Sequence, residues 1–189
     1  MLQCLLPDEL HYDGSQLRTD WVAEVTGGHA EAIVAFQGSC DVSPEHMIDT
    51  EDLELGHVIR AQRMLHFIVQ HPGIGLDLAV ARQRLLACLA RDLLAAEHAV
   101  AELWRYGDDL YVGRPPAHRK LSISVATASP TCGLIHFAVN IDPAGAPVPA
   151  IGLTELQVDP ERFGVGLLEA YATEMSSCAR AARKVRPAR

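Results

Sequence analysis

Several strings that usually announce a chemistry are missing from this chain. It has no GxxxxGK[ST], no GxGxxG, no GxSxG and no HExxH. P-loop hydrolysis, Rossmann dinucleotide binding, nucleophile-elbow serine chemistry and zincin proteolysis therefore have no motif behind them. No apolar run reaches the roughly 18 residues of a membrane span, so an integral membrane protein is not expected. The first ten residues carry no basic stretch and meet Pro7 and Asp8 at once, which does not read as a secretion signal. The cysteines are odd in number (Cys4, Cys40, Cys88, Cys132 and Cys178) and no two are spaced as CxxC. That spacing gives no support to a structural zinc site, and the expectation is reduced thiols in a cytoplasmic protein. Internal repeats and low-complexity linkers are also lacking.

What is present is enough for one core. The chain has 189 residues, 49% of them hydrophobic and 21% charged, which is ordinary for a single globular domain over 1–189. Lys and Arg number 16 against 24 Asp and Glu. Five of the basic residues (Arg180, Arg183, Lys184, Arg186 and Arg189) crowd the last ten positions. The acidic body is a poor binder of phosphate backbones, so nucleic acid is not an expected partner. The basic end, 180–189, reads as a solvated helix end, or else as a contact for an anionic partner.

Turn signals at Gly27-Gly28, Pro72-Gly73, 113–116 and 143–149 cut the chain into short elements. Residues 19–26 and 31–37 read as strands on either side of Gly27-Gly28, and 42–58 as a polar surface excursion. MLHFIVQ at 64–70 reads as a buried strand. Leu85, Leu86, Leu89, Leu93 and Leu94 recur at helical spacing, which predicts a helix over about 77–103 that breaks near Ala95. Three strands follow: 108–112, 120–127 and 133–141. In the second of them, Leu121, Ile123 and Val125 alternate with Ser122 and Ser124. A short strand is expected near 153–158. Asp159-Pro160 then opens a last helix that runs to about 184. A helix, a meander and a helix predict an α+β fold with a mixed or antiparallel sheet flanked by helices.

Among polar residues, Arg119 and Lys120 start a strand after a loop. A lysine there can hold a carboxylate, a phosphate or an activated acyl carbonyl, or it can simply keep a strand edge soluble. His136 and Asn140 are four residues apart in LIHFAVNI, so they share a face of a buried strand, where each needs a partner. His66 lies on the other side of its strand from Phe67 and reads as core. Asp49, Glu51 and Asp52 form an acidic knot, either a Mg²⁺ site or a solvated loop. Arg84 on the long helix would want an anion if buried.

Taken together, YDGSQL (12–17), IVAFQGSCDV (33–42), MIDTED (47–52), MLHFIV (64–69), QRLL (83–86), RKLSISVATASP and LIHFAVNI resemble an archaeal and bacterial family known as a domain of unknown function. More remotely, the order GDDLYV, RKLSIS, IHFAVNI is similar to the catalytic domain of biotin ligases, lipoate ligases and octanoyl transferases. That resemblance implies a ligase-like scaffold. It places Lys120 at the lysine that contacts the acyl group, and Asp109 with Asp108 at an Asn-Asp pair near metal and phosphate. His136 and Asn140 fall on the strand flooring the pocket. It also implies ATP or another nucleotide with Mg²⁺, and a small-molecule substrate. The chain departs from the pattern in two places: the Gly-rich wrapping loop is replaced by residues 47–62, and Ala150-Ile151 stand where octanoyl transferases carry Pro-Cys-Gly.

The leading reading is therefore an enzyme acting on a small carboxylate or its activated, acyl-adenylate-like form. Lys120, His136 and Asn140 would be catalytic; Arg119, Ser122, Asp109, His66 and Arg84 would bind substrate; Asp49, Glu51 and Asp52 would hold metal. The alternatives are a non-catalytic small-molecule binder on the same scaffold, and an interaction module built on the basic C-terminal helix. Strand edges of such a domain also admit a homodimer.

Overall fold

The computed structural model describes residues 1–186 and 188. Part of the basic end foreseen at 180–189, including Arg189, lies outside the described residues. A five-stranded sheet forms the centre, in the order β1 (Leu2–Leu5), β2 (Ala32–Asp41), β3 (Arg60–Pro72), β8 (Cys132–Asp142), β7 (Ser122–Ala128). β1 is parallel to β2, and the remaining pairs are antiparallel. The sheet is thus mixed and the fold α+β, as the alternation of elements predicts. A small second sheet holds β4 (Leu103–Tyr106), β5 (Asp109–Val112) and β6 (Arg119–Lys120).

Pleating sends alternate residues of each strand to opposite sides. Leu65, Phe67 and Val69 of β3, with Ile135, Phe137, Val139 and Ile141 of β8, join a core built with α3 (Leu76–Ala96) and α4 (Pro160–Arg183). Leu86, Ala90 and Leu94 face it from α3, and Phe163, Leu167 and Tyr171 from α4. Asp159 caps α4 by accepting from the Arg162 N–H at 2.8 Å, with Pro160 as the first helical residue. Met64, Ile68 and Ala138 belong to a second core on the other side. Its cover is an N-terminal arm containing Leu6, Leu10, Tyr12 and Leu17, together with α1 (Trp21–Thr26), Val42 and Ile59.

Five local expectations are corrected or sharpened. Residues 21–26 form a helix, not a strand. Val22 is buried under it, and Gly27 ends it in the left-handed conformation with its N–H on the Ala23 carbonyl. The long helix stops at Ala96, and 103–106 is a strand. Residues 42–58 contain a 3-10 turn, Pro44–His46, and α2 (Thr50–Leu55). The stretch 153–158 is a turn, in which Gln157 takes φ 57° and Val158 N–H returns to the Leu153 carbonyl. The stretch 120–127, expected as one strand, is divided. Lys120 belongs to the small sheet and Ser122 starts its run in the large one. Leu121 turns the corner: its N–H bonds the Leu110 carbonyl and its own carbonyl takes the Asn140 N–H.

Candidate functional site

The corner at Leu121 opens a cleft of about 370 Å³ on the face away from the long helices. Its walls are mostly apolar, with Met64, Ile123, Val148 and Ala150 among them. Lys120, Asn140, Arg60, His57 and Asp52 supply the polar edges. Few convergent polar groups in an apolar cleft is the usual composition of a small-molecule site.

Lys120 reaches this cleft because a parallel bridge to Ala150 holds its backbone there, with Lys120 N–H on the Pro149 carbonyl and Ile151 N–H on the Lys120 carbonyl. Its Nζ lies 2.7 Å from Asp109 Oδ2. Burial works against the lysine's charge, but Asp109 more than offsets it, and the ammonium is pushed up from its usual value. Burial likewise pushes the Asp109 carboxyl up, against the pull of Lys120. With three N–H donors and one engaged by Asp109, the ammonium has donors left for a ligand oxygen.

Asn140 has a different job. Its Nδ2 donates to the Lys120 and Ile151 carbonyls, each at 3.2 Å, so it ties β8 to the loop that carries Lys120. It shapes the cleft from beneath.

His136 sits four residues back from Asn140 on β8, in a stack of rings. The Tyr12 ring lies parallel to it with centroids 3.9 Å apart, and its Nε2 is 3.1 Å from His66 Nδ1. His66 in turn stacks on Phe36 and donates from Nε2 to the Gly38 carbonyl at 3.3 Å. Gly38 is required there, because a Cβ at this position would sit 1.9 Å from the Leu10 carbonyl oxygen of the arm. Burial holds His66 down to about 3 and His136 well below the usual histidine range. Both rings are neutral in the folded protein at physiological pH.

The remaining foreseen residues are scattered. Arg119 forms a two-pronged pair with Glu155 at 2.8 and 2.7 Å on the exposed side. Ser122 is fully buried and accepts the Leu110 N–H at 2.8 Å. Arg84 pairs with Asp108 at 2.7 Å, where Gln83 also donates to that carboxylate. Asp49 is the N-cap of α2, accepting from the Glu51 and Asp52 N–H groups at 2.9 and 3.2 Å. Asp52 Oδ1 lies 2.8 Å from His57 Nδ1. Among the described residues, no group of three or more His, Cys, Asp or Glu side chains is placed to hold a metal ion. The structure thus brings together Lys120, Asp109 and Asn140, and separately His136 and His66, with Asp52 on the rim.

Sequence reasoning missed Tyr12, His57, Arg60 and Val148. The last three carry no pattern of their own. Tyr12 meets His136 only because the arm bridges to Cys40, a contact set by tertiary structure.

A family profile described as "Domain of unknown function (DUF366)" matches residues 1–186. An uncharacterised protein of Methanocaldococcus jannaschii is 29% identical over 187 residues, covering 95% of this chain and 82% of that protein. A solved structure of a protein of unknown function from Pyrococcus horikoshi is 36% identical with a TM-score of 0.91, covering 100% of this chain and 99% of that one. The fold is shared more widely. A biotin protein ligase from Aquifex aeolicus in complex with biotin aligns with a TM-score of 0.59 at 11% identity, over 93% of this chain and 70% of that one. A putative lipoate protein ligase from T. acidophilum with bound lipoic acid aligns at 0.55 and 12%, over 93% and 86%. Among the described residues no helix is long and apolar enough to cross a membrane.

Proposed function

The chain belongs to the DUF366 family, and from the cleft this family's fold builds here we propose that it binds a small, largely apolar carboxylic acid or its activated acyl form, for ligase-type or acyl-transfer chemistry. The observation that carries this reading is Lys120. It is a half-buried ammonium, charged against Asp109, at the polar end of an apolar cleft. Such a group holds a carboxylate, and it stabilises negative charge that develops on a carbonyl oxygen during attack.

No Ser, Thr or Cys is among the described residues lining the cleft. Transfer would therefore go directly from the activated acid to an outside nucleophile, without an acyl-enzyme. A nucleotide would be the activating co-substrate; what supports this is that a biotin protein ligase from Aquifex aeolicus of the same fold is solved in complex with biotin and ATP. The residues present do not fit a resident metal ion, since Asp49 is spent on capping α2 and, among the described residues, no metal-holding cluster of His, Cys, Asp or Glu is present. The second reading, a non-catalytic binder, draws on Asn140, whose amide is committed to backbone carbonyls and not to the cleft.

Thermal shift with octanoate, lipoate, biotin, ATP and a non-hydrolysable acyl-adenylate mimic tests the proposal on wild type and Lys120→Ala. An acid at about 100 times its Kd should stabilise wild type by about 2.7 kcal/mol and leave the variant unmoved. If no acid or acyl mimic shifts wild type, the reading is wrong. Pyrophosphate exchange with the acid that binds then separates the enzyme from the binder.

A further inference from the structure

Behind Ile123, Ile59 and Asp52, which it shares with the cleft, lies a smaller recess of about 50 Å³. Tyr12, His46, Asp49 and His136 are among its walls, and α2 forms its outer cover. α2 contributes no buried residue, so lifting it exposes little apolar surface.

The protons on the two histidines can be assigned from their partners. The Gly38 carbonyl can only accept, so His66 Nε2 carries a hydrogen. In a neutral ring, His66 Nδ1 is then bare, and His136 Nε2 must donate to it. His136 therefore keeps its remaining nitrogen, Nδ1, unprotonated. That nitrogen has no hydrogen-bond partner among the described residues, although the residue is 3% exposed and lines the recess. The residue is buried, but this nitrogen is not among the fully buried polar atoms left without a partner, so it stays open to a donor that a ligand brings into the recess.

We propose that the recess recognises an N–H or O–H group at the far end of the ligand, accepted by His136 Nδ1, so that the cognate molecule is a carboxylic acid with a hydrogen-bond donor remote from its carboxyl. This rests on the cleft at Lys120 holding the acid end. His136 and Asn140 are four residues apart on β8, about 13 Å along the strand, which sets the scale of the separation between the two ends. His66 is a positioning residue: it fixes which nitrogen of His136 faces the ligand. The stack on Tyr12 fixes the plane of the ring.

The test uses matched eight-carbon acids: octanoate, 8-hydroxyoctanoate and 8-methoxyoctanoate, titrated calorimetrically into the intact protein. The hydroxy acid should bind roughly tenfold more tightly than octanoate, and the methoxy acid, which cannot donate, should gain nothing. In His136→Phe, which keeps a ring in the stack, the preference for the hydroxy acid should vanish while dependence on Lys120 remains. Equal affinities in wild type, with binding still lost in Lys120→Ala, overturn this inference and leave the function standing. Absence of binding by all three acids overturns both. Because His136→Phe could fail to fold, long-range ¹⁵N–¹H correlation on wild type supplies a second reading. A bare Nδ1 on both His66 and His136 is expected, and a protonated Nδ1 on His136 refutes the proposal.

Discussion

Two buried histidines on opposite sides of the same sheet are treated in opposite ways. His71, near the end of β3, points toward the helices. Its Nδ1 lies 2.7 Å from Glu31 Oε1, and its Nε2 2.8 Å from the Tyr171 hydroxyl. Arg82 closes the group by donating to Glu31 at 3.0 Å. Both ring nitrogens are used, and around them lies a continuous apolar core of Leu, Ile, Val and Phe. His136, on the other side, has one nitrogen used and one bare, and around it the packing is arm, short helix and cavity. A polar group inside a fold that serves only structure tends to be fully satisfied. On the reading proposed above, the incomplete one lies on the face where the ligand arrives.

The comparison can be broken most forcefully at Phe137, which is fully buried on the helix side between neighbours of the opposite faces. Phe137→Ala should cost about 3–5 kcal/mol of unfolding free energy in urea titration. A loss below about 1 kcal/mol would mean that the helix side is not the tightly packed one.

Next in size is the response to acid. Burial, together with the Arg82 charge, holds His71 down to about 4 despite Glu31, and burial holds His66 down to about 3. A histidine whose folded pKa lies below its unfolded value contributes fully above about pH 6.5. As pH falls the unfolded chain takes up the proton first, so each such group should remove about 1.4 kcal/mol of stability per pH unit until its folded value is reached. Urea titrations at pH 7 and pH 5 check this. Stability unchanged between them would show that the buried rings take up a proton as readily as they do in the unfolded chain. Tyr171→Phe sharpens the contrast, since it strips a partner from His71 alone. About 1–3 kcal/mol should be lost while acid binding at Lys120 stays as it was.

The smallest effect is expected on the cleft cover. Asp49→Ala removes the cap of α2 and should cost about 1 kcal/mol or less in global stability. It should leave binding of metal ions unchanged, measured by calorimetry with Mg²⁺. Tight Mg²⁺ binding by wild type that disappears in the variant would restore the acidic knot as a metal site.

Much of this was legible in the residues. The leucine spacing of α3, the alternation in β7 and the Asp159-Pro160 start of α4 are local patterns, and the structure keeps them. The early helix was hidden because Trp21, Val22, Val25 and Thr26 favour strands, and only burial of Val22 against the sheet overrides that preference. β1 and β4 are four residues each, too short to show a period. At the site, a lysine beside a strand corner and two polar residues on one face of β8 were readable. The division of labour was not: Asn140 as a tie, Asp49 as a cap and Arg119 as half of a surface pair all depend on partners 11 to 36 residues away or on a helix start. Asp49 had left a sign, since Asp-Thr-Glu-Asp is also how a capped, acid-rich first turn is written.

Gly38 has a practical consequence. Because the Leu10 carbonyl lies where its side chain would be, the N-terminal arm is pressed onto the sheet at the very residue whose carbonyl anchors His66. The arm then continues to Tyr12 and the ring stack. Trimming the first dozen residues, or a Gly38→Ala change, would therefore unseat a histidine far from the cut. Affinity tags belong on the other end of the chain, and a shortened version that folds but binds nothing would say little about the protein's true ligand.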